Sequence, residues 1–449
     1  MKIKCFTLLT LLLSPIVLLA GEVRLHGKLT GFGTSQVELR YSGSAAEVTG
    51  SFRTVTIPLD AEGGFDFTFS LDQPAYYILG SNTLYLSPGD DLEMEVGRAV
   101  ARSLFKGKGS EANTYLKKIQ WDGELNAARN FIEKKPFEEV LKKADSLVQG
   151  RLQELAALKE VSKTFRETEE TRVVASRIAV YFNHIYFTEF YHWQDDPETR
   201  NSKKLAYHQS LIAEINPLLH QIDRNDDHLE CATIREMMLE CYRSGCFKQR
   251  VSKKLVELAE TIKQSQIMDQ GITLDNYRAF LGYGETIKTP AYREAFHAKL
   301  ALREKLMEGQ TAADIGLRDT TGKTYKLSDL KGKVLFVDFW ATWCLPCLAQ
   351  VPYVKTLSEK YTNIQFVAIS VDQDETKWRA KLEKEGIHEH IREFITDVYL
   401  ASDAWDISSI PRFLLIDENF RIITAFAPRP SEAEKIEPLL EKYNSGKAK

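Results

Sequence analysis

The segment that most restricts the fold and chemistry of this chain is residues 340–352, which read WATWCLPCLAQVP. Cys344 and Cys347 are separated by two residues and follow a short apolar run, Val334–Phe339. Such a run predicts a strand, and a helix that begins at the first cysteine offers it unpaired backbone N–H groups that favour the thiolate. Pro346 suits an early helical position, because its missing N–H is not needed there. Cys347 can then resolve a mixed disulfide formed at Cys344.

The alternative interpretation of this cysteine pair is a zinc site. A structural zinc site needs four ligands, and no second cysteine pair follows the first. The nearest histidines, His388 and His390, do not form such a pair. We therefore favour redox chemistry at Cys344 and Cys347, and we expect neither a metal nor a cofactor.

The pattern of residues 307–449 predicts an α/β domain. Its predicted elements are strand Val334–Phe339, helix Pro346–Tyr361, strand Ile364–Ile369, helix Glu375–Glu385, hairpin strands Phe413–Asp417 and Arg421–Phe426, and helix Ser431–Tyr443. The order β-α-β-α-β-β-α is typical of a thioredoxin-type layer, with helices on both sides of a mixed sheet.

Two other regions precede this domain. Residues 21–105 contain alternating segments such as Phe65–Phe69 between turn signals, which predict a small antiparallel β domain. Residues 106–306 carry Leu, Ala, Glu and Lys at helical spacing, as in Phe137–Leu158, which predicts an all-α region. We thus expect a multidomain protein: a β-sandwich-like N-terminal domain, an all-α middle region and a C-terminal α/β thioredoxin fold, residues 307–449.

The first twenty residues resemble a targeting segment. Met1–Lys4 carries two lysines, Cys5–Ala20 is almost wholly apolar, and Ala20 precedes a glycine. This pattern predicts a signal peptide over residues 1–20 and a periplasmic or cell-envelope location. The alternative is an uncleaved anchor, because Leu18 is not a small residue; membrane association is expected only in that case. The net charge of −4 gives no indication of nucleic-acid binding.

Two features of the predicted helical region leave alternatives open. Tyr181–Trp193 contains His184 and His192 among aromatic residues, but histidines eight residues apart without a third ligand favour a packed helix over a metal site. The second feature is a group of three cysteines, namely Cys231, Cys241 and Cys246. A break at Ser244-Gly245 would allow a bridge between the last two, and the alternative is buried free thiols.

The motif FWATWCLPC followed by proline after four residues resembles the active site of exported thioredoxin-like reductases of the TlpA/ResA group. Residues 316–333 resemble an extra hairpin that precedes the core fold in that group. The segments SPGDDL and GKGSEANTYL resemble, more weakly, the β domain found before such modules in multidomain envelope proteins. The resemblance covers about residues 310–446 strongly and residues 21–120 weakly.

The resemblance assigns roles to individual residues. It implies that Cys344 is the nucleophile and Cys347 the resolving cysteine of a redox-active disulfide, and that Ile410-Pro411 is the loop whose cis-proline faces that disulfide. Asp338 matches the buried acid of thioredoxins and could accept the proton of Cys347. Its alternative is a strand-end carboxylate in solvent.

Further residues near the motif are expected to contact substrate or to depart from the family pattern. Trp343, Ile410 and Arg412 are the candidate substrate-binding residues. Gln350 stands where the exported group often has Glu, and glutamine cannot shuttle a proton. Arg412 stands where Thr is common; it could favour the thiolate of Cys344 and attract acidic partners, or it could point away.

The function that these features favour is that of an exported thiol-disulfide oxidoreductase. We expect it to reduce protein disulfides and to receive electrons from a membrane thiol donor. A thiol peroxidase would need the pattern PxxxTxxC, which residues 337–344 lack. The rival from another class is an envelope ligand- or protein-binding protein whose binding region is residues 21–305, with an accessory thioredoxin module.

Overall fold

The structure is a computed structural model. It describes residues 21–444 except residues 33, 51–52, 98, 119–135, 193–194, 224, 248–250, 387 and 408, and it describes no side chains for residues 185–192, 208 and 274. The predicted signal peptide lies outside the described residues. Within the described part of the chain, no helix is long and apolar enough to cross a membrane. The contacts divide the chain into two compact units, residues 1–44 with 52–255, and residues 45–51 with 256–449.

The first unit begins with a β-sandwich. Its strands are β1 Gly21–Leu29, β2 Gln36–Tyr41, β3 Arg53–Pro58, β4 Gly64–Leu71, β5 Ala75–Leu79, β6 Asn82–Leu86, β7 Asp91–Val96 and β8 Leu104–Lys108. They form two four-stranded sheets, in the orders β4-β1-β7-β8 and β3-β2-β5-β6. Alternate side chains from both sheets, such as Val23, Leu39 and Leu92, share one apolar core. The sandwich-like fold predicted for this region is therefore confirmed.

One strand pair in the sandwich differs from the expected antiparallel arrangement. Strands β1 and β7 pair in parallel, with Leu25 opposite Leu92. A parallel pair requires a long crossover between its strands. Here the crossover is the chain from Thr30 to Asp90, which itself supplies five strands. The local alternation of residues does not reveal which distant strand will become the neighbour.

Helices complete the first unit. They are α2 Ser110–Lys117, α3 Phe137–Ala157, α4 Lys163–His192, α5 Pro197–Ile222 and α6 Ala232–Arg243. A short helix, α1 Ser44–Thr49, follows β2, and all of it but Ser44 belongs to the second unit. Helix α4 packs against α3, α5 and α6. It also carries the buried Glu169, which pairs with Arg172 at 2.5 Å and accepts a 2.6 Å hydrogen bond from Tyr76 of β5. Strand and helix are thus joined by a buried polar contact.

The described start of the aromatic stretch of α4, residues 181–184, fits the packed-helix interpretation. His184 Nδ1 lies 2.7 Å from the hydroxyl of Tyr207, and its ring stacks on Phe137 with centroids 3.9 Å apart. The side chain of His192 lies outside the described residues.

The three cysteines of this unit, Cys231, Cys241 and Cys246, are buried free thiols. The Cys246 N–H donates to the Cys241 carbonyl at 2.9 Å, next to Gly245 at φ 68°. The helix therefore ends at the predicted break, and the thiols of Cys241 and Cys246 lie close enough to hydrogen-bond.

The second unit joins three helices to a thioredoxin-type sheet. The helices are α7 Lys253–Met268, α8 Leu274–Thr286 and α9 Pro290–Glu304. The strands are β9 Gly316–Asp319, β10 Thr324–Lys326, β11 Val334–Trp340, β12 Ile364–Ser370, β13 Ile391–Ile395, β14 Arg412–Ile416 and β15 Ile422–Thr424. The remaining helices are α10 Leu345–Leu348, α11 Val351–Lys360, α12 Glu375–Glu385, α13 Val398–Trp405 and α14 Ala433–Asn444. The sheet order is β10-β9-β13-β12-β11-β14-β15.

Two predictions for this unit were wrong in detail. The sequence pattern missed β13 and α13, so the predicted order lacked one strand and one helix of the sheet layer. The predicted helix Pro346–Tyr361 is two helices, α10 and α11, joined at Gln350. The break has a physical cause, because Pro352 has no N–H to donate to the carbonyl of Leu348. The hairpin before the core fold, β9-β10, is present.

A buried arginine connects α9 to the sheet layer of the second unit. Arg303 is 3% exposed, and its Nη2 lies 2.7 Å from Asp269 Oδ1 and 3.0 Å from Asp406 Oδ2. Its guanidinium carbon lies 4.7 Å from the ring centroid of Phe426. These contacts join α9 to the loop that leads from α13 to β14.

We predict that Arg303→Leu destabilises the second unit by about 2 kcal/mol. Removing one partner of a fully buried pair costs about 3–5 kcal/mol, but Asp269 and Asp406 are partly exposed and can be hydrated, which lowers the cost. The matched control is Arg318→Leu, since Arg318 forms an exposed pair with Glu375 at 2.6 Å and exposed pairs contribute about 0–1 kcal/mol. Urea denaturation of both variants gives the comparison. Equal urea midpoints for the two variants would contradict a stabilising role for the buried Arg303 contacts.

Candidate active site

The candidate site begins at the end of β11. All seven residues of this strand are buried, and it lies between β12, its parallel neighbour, and β14, its antiparallel neighbour. After the strand, Thr342 donates to the buried carboxylate of Asp372 from its N–H at 2.9 Å and from its hydroxyl at 2.7 Å. The hydroxyl of Ser370 donates to the same carboxylate at 2.7 Å. Two hydrogen bonds thus fix the loop that leads to the cysteines, and the third orients the carboxylate that accepts them.

The two cysteines of the motif form a disulfide. Cys344 caps helix α10, and its Sγ accepts the N–H of Cys347 at 3.2 Å. The same sulfur lies 3.8 Å from the carbonyl oxygen of Ile410. In the reduced protein, an N–H directed at this sulfur stabilises a thiolate more than a thiol, which lowers the thiol pKa. The arrangement therefore favours Cys344 as the attacking sulfur.

The residues beside Cys344 form an exposed apolar rim. Trp343 is 67% exposed and Leu345 is 76% exposed. The Ile410-Pro411 bond is cis, and β14 begins directly after it. Because β14 runs antiparallel to β11, its first residue, Arg412, lies opposite Phe339 near the end of β11. The topology thus brings the proline loop to the cysteine end of the strand.

Asp338 lies within the buried part of β11 rather than in solvent. It is 6% exposed, and its Oδ1 has no hydrogen-bond partner. Burial raises the pKa of this carboxyl to about 7. A carboxyl with such a pKa can accept or release a proton near neutral pH.

The two residues that depart from the family pattern both have structural contacts. The side-chain oxygen of buried Gln350 accepts the N–H of Ser431 at 3.0 Å. The guanidinium of Arg412 donates to the carbonyls of Ala425 and Asp406 at 3.3 and 3.4 Å, and it lies 4.3 Å from the Phe426 ring. Burial, and secondarily the charge of Arg303, lower the pKa of Arg412 to about 10. Of the two alternatives for Arg412, these contacts favour the one in which it points away.

Sequence reasoning missed two acidic residues of this region. Asp372 lies two residues after the end of β12, and its position near a predicted strand end was the signal that could have found it. Glu393 lies on β13, a strand that the pattern did not predict, so its burial could not be foreseen. Burial raises the pKa of Glu393 to about 8, and the charge of Asp338 adds to the shift.

The sheet topology, the capped cysteine and the proline loop define a thioredoxin-fold protein with a redox-active disulfide. The family model that describes Redoxin matches residues 307–440. The thiol-disulfide oxidoreductase ResA of Bacillus subtilis is 32% identical over 130 residues, which cover 28% of this chain and 72% of the relative. ResA of Geobacillus thermodenitrificans is 30% identical over 162 residues, which cover 36% of this chain and 86% of the relative.

Solved structures also match about a third of the chain, 31% in the first case. One from Bacteroides vulgatus, described as a thiol-disulfide oxidoreductase, is 38% identical, with 31% of this chain and 98% of that chain covered and a TM-score of 0.30. The identity and coverage of the two ResA relatives show that the chain belongs to the ResA-like thiol-disulfide oxidoreductases of the thioredoxin family. It is therefore a thioredoxin-like thiol-disulfide oxidoreductase.

We predict that Cys344 is the more reactive thiol of the reduced protein. Its sulfur accepts a backbone N–H, and helix-start cysteines reach pKa values of about 3.5–7.5, so Cys344 retains thiolate at mildly acidic pH. Iodoacetamide at that pH, followed by peptide mass spectrometry, is expected to label Cys344 at least about tenfold faster than Cys347. The buried Cys231 serves as an internal control, because burial raises its pKa to about 11. Faster labelling of Cys347 than of Cys344 would contradict the assignment of Cys344 as the nucleophile and Cys347 as the resolving cysteine.

Proposed function

We propose that the chain is an exported reductase of protein disulfides. The observation that carries the proposal is the environment of Cys344, whose sulfur accepts one backbone N–H and lies between the exposed apolar side chains of Trp343 and Leu345. An unfolded or flexible protein segment offers apolar side chains to such a rim, and its backbone can pair with the chain at Ile410 beside the proline. Both features suit a protein disulfide better than a small thiol.

The proposed reaction has two exchange steps. The Cys344 thiolate attacks one sulfur of the substrate disulfide, forms a mixed disulfide and releases the other substrate cysteine as a thiolate, which takes up a proton. Cys347 then transfers its proton to Asp338 and attacks the Cys344 sulfur. The mixed disulfide breaks, and the second substrate cysteine leaves as a thiolate. The substrate gains two electrons, and the Cys344–Cys347 pair is oxidised.

The reducing direction follows from the few groups available to stabilise a Cys344 thiolate. An oxidising dithiol owes its high potential to a strongly stabilised reduced form. Leu345 and Pro346 carry no side-chain donor, and the Arg412 guanidinium is engaged by two carbonyls and Phe426. An ionised Asp338 would further oppose a second negative charge. These features favour a potential near that of thioredoxin.

Export and the electron donor belong to the same proposal. The charged start, apolar run and Ala20 of the first twenty residues support export to the periplasm or cell envelope. A reductant in an oxidising compartment needs a continuous supply of electrons. A thiol carrier in the membrane is the partner that would provide them.

We expect Cys347→Ser to trap substrates as mixed disulfides. The variant keeps the attacking sulfur but lacks the thiol that releases the substrate. Expressed as the full chain in its native envelope, it should yield covalent adducts that dithiothreitol releases. Cys344→Ser is the matched control and should yield none. Equal adduct formation by both variants, or adducts with small thiols alone, would contradict protein disulfides as the substrates.

We also expect the reduction potential of the full chain to lie nearer about −270 mV, the thioredoxin value, than about −120 mV, that of a strong oxidant. Equilibration with dithiothreitol and glutathione buffers, with quantification of the Cys344–Cys347 disulfide by alkylation and mass spectrometry, gives the midpoint. A midpoint above about −180 mV, the value of protein disulfide isomerase, would assign the chain to disulfide formation or shuffling.

A further inference from the structure

A second carboxyl, that of the half-buried Glu393, lies in the same row of the sheet as Asp338. Asp338 of β11 is opposite Ala368 of β12, and Ala368 is opposite Glu393 of β13. Adjacent strands are about 4.8 Å apart, so the Cα atoms of the two acids are about 10 Å apart on one face of the sheet. The small side chain of Ala368 leaves the space between the two carboxyls open.

A cavity connects this row with the protein surface. Its volume is about 50 Å³, and both Asp338 and Glu393 line it. A water molecule needs about 10–15 Å³ of such volume and two or more polar partners, so the cavity can accommodate water between the two carboxyls. The cavity wall also includes the exposed residues Glu385 and Gly386 at the end of α12. The cavity thus extends from Asp338 and Glu393 to exposed residues at the end of α12.

The two carboxyls have unsatisfied atoms on this path. Asp338 Oδ1 and Glu393 Oε2 are buried and have no hydrogen-bond partner in the protein. Burial is the main cause that raises both pKa values, to about 7 for Asp338 and about 8 for Glu393, and the Asp338 charge raises that of Glu393 further. Two neighbouring buried carboxyls resist double ionisation. Their titration therefore belongs to the pair rather than to either residue.

Other charged groups also face the cavity. Lys355 of α11 lines it and lowers the pKa of Glu393, which partly opposes the effect of burial. Glu385 of α12 lies at the exposed rim. His388, in the loop after α12, lines the cavity with a buried Nδ1, while its Nε2 lies 3.0 Å from Glu359.

We propose that Asp338 and Glu393 share one proton across this cavity, and that Glu393 is a positioning residue through which Asp338 exchanges protons with solvent during resolution at Cys347. The proposal rests on the proposed order of steps, in which Cys347 resolves the mixed disulfide. The Cys347 proton moves to Asp338 as the Cys344–Cys347 bond forms and the substrate thiolate leaves. A proton of the pair then passes by way of Glu393 to the cavity mouth. Asp338 is thereby ionised again for the next turnover.

The kinetic test uses Ellman's reagent with the reduced full chain. Cys344 releases a first thionitrobenzoate and becomes a mixed disulfide; Cys347 then releases the second. A variant lacking both active-site cysteines gives the blank for the other thiols. Glu393→Gln is expected to slow the second release near pH 7 about tenfold, which is less than the about 10²–10⁴-fold effect of a direct general acid or base because Glu393 acts through Asp338. It is expected to change the first release by less than about twofold. Glu393→Asp should restore most of the rate.

The matched control is Glu383→Gln, since Glu383 is an exposed acid of α12 outside the cavity. It should leave both releases unchanged. If Glu393→Gln slows neither release, or slows both equally without rescue by Glu393→Asp, the proposal is wrong.

The proton sharing is tested separately in the oxidised full chain, where no exchange occurs. Carboxyl ¹³C NMR titration, with signals assigned from the single variants, should give raised pKa values for both acids. In Asp338→Asn the pKa of Glu393 should fall, because the neighbouring negative charge is absent. An unchanged Glu393 pKa would overturn the shared proton, whatever the reduction potential proves to be. Conversely, an oxidising potential with coupled carboxyls would overturn only the reductase assignment.

Discussion

The complete burial of strand β11 is the constraint on which the rest of the C-terminal unit depends. Val334–Trp340 contributes seven buried residues between two neighbours of opposite direction. The parallel neighbour β12 ends beside Trp340, so Asp372 can hold Thr342. The antiparallel neighbour β14 starts beside Phe339, so the proline loop arrives at the same edge. Two independent segments therefore meet at Cys344 because one apolar strand fixes both.

The same strand also carries a residue that is unfavourable for stability, Asp338. A buried carboxyl without a hydrogen-bond partner costs free energy unless it is protonated, and the apolar side chains of β11 must offset that cost. The neighbouring position on β12 is Ala368, which offers Asp338 no cation and no donor. An unsatisfied buried group that the fold retains calls for an explanation outside stability. The proposed proton exchange with Cys347 would provide one, with the cavity shared with Glu393 as the proposed route for the proton.

Sequence reasoning predicted the elements that local pattern determines. The continuous apolar runs of β11 and β12 and the cysteine pair with its early proline have strong local signals, and the structure contains each of them. Strand β13 was missed because Ile391–Ile395 is short and interrupted by Arg392 and Glu393. A charged residue in a buried row cannot be recognised until the neighbours of its strand are known. For that reason the position of Glu393 in the same row as Asp338 could be recognised only from the three-dimensional register.

The position of Arg412 shows how a tertiary contact decides between two meanings of one residue. From the sequence, a cation after the proline could equally lower the pKa of Cys344 or serve elsewhere. In the structure the Arg412 and Arg303 guanidiniums both lie against the Phe426 ring, and Arg412 also bonds two carbonyls. Arg303 comes from α9, which lies outside the part matched by the family model. Arg412 thus shares one aromatic ring with an arginine of a preceding helix, and its hydrogen bonds go to the carbonyls of Ala425 and Asp406 rather than to the cysteine pair.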